Sequence, residues 1–130
     1  VPSIFTKIIN GEIPCYKIAE DENYIAFLDV FPLKKGHTLV VPKKEIDYIF
    51  DLDSELYQGL MVFSKKIAEA IKCAYPCNRI GLAVIGLEVP HAHIHLVPIN
   101  TMNDMNFAND KLTCSKEEFI ECAETIKGHL

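Results

Sequence analysis

Val89-Pro90-His91-Ala92-His93-Ile94-His95-Leu96-Val97-Pro98 sets three of the chain's five histidines at alternate positions among apolar residues. Side chains of an extended strand point to opposite faces in turn, so His91, His93 and His95 share one face while Ala92, Ile94 and Leu96 share the other. At about 3.3 Å of rise per residue, neighbouring imidazoles then stand roughly 6.5 to 7 Å apart. A helix would scatter the three rings around its axis, and Pro90 and Pro98 bracket too short a run for one. Imidazole titrates close to neutrality, so a row of such rings offers a nucleophile, an acid or base, or metal ligands.

Working outward, Ile4, Phe5, Ile8 and Ile9 have the spacing of a short helix that Gly11 and Pro14 end. Residues 15–19 and 24–29 read as strands of a hairpin joined by the polar Glu20 to Asn23. Asp29 closes the second strand beside a proline-containing loop, a frequent place for a functional carboxylate. The pattern predicts a third strand over residues 37–41, stopped by Pro42. Leu56, Leu60, Phe63, Ile67 and Ile71 recur every three or four residues and predict a long helix, capped by Asp51 or Asp53 and running to about residue 74. Residues 80–85 form the fourth strand, and their short link to the histidine strand predicts an antiparallel pair. Residues 101–113 are rich in Asn and Asp and read as a loop, and Ser115 with Glu118 is the capping box of a final helix. The sum is one α+β domain spanning residues 1–130: a five-stranded, mainly antiparallel sheet with one long and one C-terminal helix.

The 130 residues, 49% of them hydrophobic, suit one domain with one core. No apolar run approaches the roughly 18 residues of a bilayer span, and the start of the chain lacks a basic-then-apolar signal pattern. A net charge of −5 argues against a surface for nucleic acid, which needs a basic stripe, although a mononucleotide does not. Five scattered cysteines suit reduced thiols better than a disulfide framework, so the expected setting is the cytoplasm. Cys73 and Cys77 have the wrong spacing for structural zinc, and no acidic residue stands at a recognisable ligand spacing from the histidines. No metal or other cofactor is therefore expected, although His-x-His pairs hold zinc in other sheets.

The His-x-His-x-His run resembles the histidine triad (HIT) family of nucleotide-binding hydrolases and transferases. Residues 4–14 resemble that family's amino-terminal signature, and Ala26 to Pro32 with Gly36 to Lys43 resemble its second, in the family's order. The resemblance implies a homodimer and a hydrolase that cleaves the α-phosphorus bond of nucleoside phosphoramidates or dinucleoside polyphosphates. His93 would be the nucleophile that carries a covalent nucleotide, with His91 ordering its surroundings and a backbone carbonyl holding its ring. His95 would meet phosphate oxygens and the leaving group, His37 would support the triad from behind, and backbone amides would stabilise charge on phosphorus oxygens. Asp29 would accept the ribose hydroxyls, and Phe5, Ile8, Phe27 and Val30 would sandwich a purine, although apolar residues of this kind also serve as plain core. Leu87 and Glu88 stand where relatives usually carry phosphate donors, Ile80 where they carry an asparagine, and Glu45 where phosphoramidate hydrolases often carry a histidine. These differences leave a nucleotide-binding regulatory module with little turnover as the alternative to an enzyme.

Overall fold

The computed structural model describes residues 1–130. Five strands, β1 (Lys17–Glu20), β2 (Tyr24–Leu28), β3 (Thr38–Pro42), β4 (Arg79–Ala83) and β5 (Ile94–Ile99), form one sheet in the order β1-β2-β3-β5-β4. Every neighbouring pair is antiparallel. Three α-helices accompany them: α1 (Ile4–Ile9), α2 (Ser54–Ala74) and α3 (Lys116–Lys127). Asp53 caps α2 by accepting the Leu56 amide, and Ser115 with Glu118 makes the reciprocal capping box of α3. Both starts follow from oxygen side chains meeting amides that have no partner in a helix's first turn.

The two faces of the sheet divide the labour. Tyr24, Ala26 and Leu28 of β2, Val40 of β3 and Ile94 and Leu96 of β5 meet Leu60, Ile67 and Ile71 of α2 and Ala123 and Ile126 of α3 in the main core. Each fully buried Leu or Ile there stabilises the fold by roughly 1.5–3 kcal/mol, so the helical face carries most of the stability. The alternate residues Ile25, Phe27, Leu39 and Val41 turn to the opposite face, where α1 covers only one end through Phe5. That half-covered face is where the histidines emerge.

The triad stretch is shorter as a strand than its alternation predicts. β5 begins at Ile94, and His91 and His93 lie in an extended lead-in. The reason is a change of partner: β3 pairs with β5 only from Val40 opposite Ile94 to Thr38 opposite Leu96, while the Ala92 amide donates instead to the Ile46 carbonyl at 2.7 Å. Residues 101–113 are also more ordered than a loop, for Met102–Met105 form a 3-10 turn closed by a capping box of Thr101 and Asp104.

Candidate active site

His93 is positioned by its own neighbour. Its Nδ1 lies 2.8 Å from the His91 carbonyl oxygen, which can only accept, so Nδ1 carries the proton and Nε2 keeps its lone pair. The Phe5 ring stands edge-on at 4.9 Å between centroids, and His95 at 4.9 Å on the other side. The latter separation is shorter than an ideal strand gives, because His93 has left the ladder.

His91 is 0% exposed and bonded at both ring nitrogens. Nε2–H donates to the Pro42 carbonyl at 2.8 Å, and Nδ1 accepts from the Ser3 hydroxyl at 2.7 Å. Ser3 is also the N-cap of α1, accepting the Thr6 amide at 3.0 Å. Glu45 Oε1 gathers the Ser3 amide at 2.7 Å and the Thr6 hydroxyl at 2.6 Å. The Thr6 bond, followed by that of the Ser3 amide, holds the Glu45 carboxyl down to about 2, while burial lowers His91 and keeps it neutral. None of Ser3, Thr6 or Pro42 was legible as a partner of the triad; only the capping role of Ser3 has a local signal.

His95 is held from the opposite side. Gly36 takes a positive φ of 96°, a conformation that favours glycine, and so turns the chain to bring His37 back at the head of β3. The Leu33 amide donates to His37 Nδ1 at 3.0 Å, so the His37 proton sits on Nε2. His37 Nε2–H then donates to His95 Nδ1 at 3.0 Å, and the His95 proton is left on Nε2, facing the site. Burial drives His37 from an ordinary 6.5 to about 3 and His95 to about 4, the neighbouring imidazoles adding to the effect. Both are therefore neutral at pH 7, and the site presents one bare nitrogen on His93 beside one N–H donor on His95.

Asp29 completes this flank. Its Oδ1 accepts the Phe31 amide at 2.8 Å, and its Oδ2 lies 3.5 Å from His37 Nε2 and 4.0 Å from His95 Nδ1. Burial raises the Asp29 carboxyl above the usual carboxylate range. The HIT domain family model matches residues 10–102, which include β1 to β5 and all of these histidines. This chain belongs to the HIT family.

Among its HIT relatives, a HIT-like protein of Borreliella burgdorferi is 35% identical over 98% of this chain and 97% of its own. The adenosine 5'-monophosphoramidase hnt1 of Schizosaccharomyces pombe is 36% identical over 73% of this chain and 72% of its own. Among solved structures, a Hit-like protein from Bartonella henselae superposes with a TM-score of 0.85 at 32% identity, covering 98% of this chain and 96% of that one.

The HIT signature residues differ in exposure. Phe5 of α1 and Phe27 of β2 are buried ring against ring, and Ile8 of α1 is half-buried beside them, whereas Val30 is 48% exposed at the rim. Leu87 is 88% exposed and Glu88 is exposed beside it, on the segment joining β4 to β5. Glu88 nevertheless bears electrostatically on Asp29, raising its carboxyl.

Asp29, His37 and His95 bring ligand atoms within 4.8 Å of one another, an acid and two imidazoles of the kind that hold zinc. Linear spacing hid the set because the sheet, not a local motif, assembles it. The donor set does not fit a metal in this arrangement. A metal on His37 Nε2 would move the ring proton to Nδ1, directly against the Leu33 amide that already points there.

Proposed function

We propose that the protein is a nucleotidyl hydrolase acting on nucleoside phosphoramidates through a covalent nucleotide on His93. The observation that carries this reading is the His93–His91 carbonyl bond, which holds the ring by its Nδ1–H and so orients Nε2 toward the open side of the sheet. In the first step Nε2 attacks the α-phosphorus and the P–N bond breaks with its electron pair staying on nitrogen, which takes one proton from water as it leaves, so that the amine departs neutral. His95 Nε2–H meets the phosphoryl oxygen or leaving nitrogen as a hydrogen-bond donor; being neutral, it assists without surrendering its proton. Water then adds to phosphorus, the P–Nε2 bond breaks with its electron pair returning to His93, and the proton of water passes to solvent. Asp29 has lone pairs left for ribose hydroxyls after accepting the Phe31 amide. Phe5, Ile8, Phe27 and Val30 supply an apolar wall for the base. Glu88, repulsive to a phosphate, is favourable to a cationic amine.

The same reading includes a homodimer. β4 is an edge strand, and Leu82 on it, Val84 and Ile85 just after it and Val62 on α2 are exposed apolar residues that a second copy would cover. Light scattering should give twice 14.7 kDa, and a concentration-independent monomer would rule the dimer out. No helix is long and apolar enough to cross a membrane, and the charge balance favours a small-molecule substrate over nucleic acid.

The test is a turnover panel of adenosine and guanosine phosphoramidates and dinucleoside polyphosphates, with intact-mass analysis after acid quench. Phosphoramidate turnover with a nucleotidyl adduct on the peptide holding residues 91–95 is expected. Tight nucleotide binding without turnover or adduct would favour the regulatory module, to which exposed Leu87 and Glu88 already lean.

A further inference from the structure

The segment after β5 crosses the mouth of the site as a strap. One end is anchored where Asp104 Oδ2 accepts the amides of Asn100 at 2.8 Å and Thr101 at 3.0 Å, while Oδ1 meets Lys34 Nζ at 3.1 Å. Met105 lies flat on β4 at Gly81, where an added Cβ would come within 2.8 Å of its sulfur. At the far end the Leu112 amide donates to the Pro32 carbonyl at 2.8 Å. Lys34 and Pro32 both belong to the turn that carries Asp29 and His37, so the strap is pinned twice to the catalytic flank. Between the pins, Asn109 Nδ2 donates to the Asn103 carbonyl at 2.7 Å, and Lys111 Nζ donates to the carbonyls of Phe107 at 2.5 Å and Asn109 at 2.9 Å. The residue these bonds fix is Phe107, whose ring stands edge-on to His95 at 4.8 Å and to His37 at 6.1 Å.

We propose that Phe107 is a positioning residue for the HIT reaction: it walls the side of His95 that β5, His37 and His93 leave open, and so confines water to the Nε2 edge and holds the imidazole in one orientation. Without this wall, water would reach the His95 ring and the charged form would no longer be excluded. The groups facing His95 are His93 from the lead-in, His37 from β3 and Asp29 from the end of β2, while Lys111 of the strap acts on His37 and Asp29 behind it. Of these, Asp29 favours a protonated His95 and His93 disfavours it, after burial itself. The neutral form lets His95 accept from His37 and donate from Nε2 in a single tautomer. An imidazolium would instead confront the His37 Nε2–H with a second N–H at 3.0 Å and break that bond.

The experiment compares F107A, F107L and K111M with the wild type by NMR titration of the imidazoles and by pH–rate profiles on an adenosine phosphoramidate. In F107A the His95 inflection should rise by one pH unit or more from about 4 toward 6.5, and the acid limb of kcat should rise with it. F107L should restore most of the wild-type profile, because any bulky apolar group excludes water, and K111M should show a smaller rise as the strap loosens. A folded F107A in which neither His95 nor the acid limb moves would overturn the inference. Should F107A not fold, an unmoved His95 in K111M would do so. The inference rests on the proposed role of His95, but the titration needs no turnover, so an inactive wild type would refute the proposed function and leave Phe107 still tested.

Discussion

The two outer histidines of the triad have the same spacing from His93 and opposite surroundings. His91 is saturated: both ring nitrogens are bonded, its ring is fully buried, and its chain of partners runs through Ser3 to Glu45. His95 is half-satisfied: one nitrogen is bonded to His37 and the other carries a proton aimed at the open face. The first imidazole is a structural post whose residue's carbonyl orients His93, and the second is, on the proposed reading, the group that meets substrate. A buried polar group with every bond made resists change, while one with an unused donor retains something for a substrate.

The strongest test of this contrast lies between them. H93A should lower turnover by at least about 10³-fold, about 4 kcal/mol of barrier, while calorimetry still detects nucleotide binding, because Asp29 and the apolar wall are untouched. Retained turnover would remove the central histidine from the chemistry. Next, the outer pair should separate by kind of effect. H95A should reduce kcat by about 10²-fold with a near-normal melting curve. H91A should cost about 2–4 kcal/mol of stability in urea unfolding, as a buried side chain and its bonds are lost. Equal losses of stability in the two variants would erase the distinction.

Acid sharpens the same comparison. His37 and His95 have folded values below the 6.5 of the unfolded chain, so the unfolded state binds more protons from 6.5 down to about 4 for His95 and about 3 for His37. Their stabilising contribution is therefore complete above pH 6.5 and declines as pH falls toward 4, with the raised Asp29 opposing it in part. Urea midpoints measured from pH 7.5 to 4 should fall in wild type and fall less in H95A; parallel curves would mean that His95 is not held neutral. The smallest expected effect is at the rim. The double variant L87Q/E88S should raise turnover of a plain adenosine phosphoramidate about tenfold, since one recovered bond to a charged group is worth roughly 1.5–3 kcal/mol. An unchanged rate would show that these two exposed residues do not face phosphate.

The order of elements was largely legible because it rests on local physics. Period-two alternation, the three-and-four spacing of α2, and Asp and Ser caps act within a few residues, and they place all five strands and three helices to within a few positions. The HIT membership was readable for the same reason, since its signatures are contiguous. What tertiary structure alone decided is how each histidine is held. The His37–His95 bond joins residues 58 apart, and the Ser3–His91 bond joins residues 88 apart. The strap that sets Phe107 against His95 reads in sequence as a polar loop, because the pins at Lys34 and Pro32 come from a turn some seventy residues earlier in the chain. Proton placement on an imidazole follows from whichever donor or acceptor meets its far nitrogen, and that partner is chosen by strand pairing and packing rather than by any neighbour in the sequence.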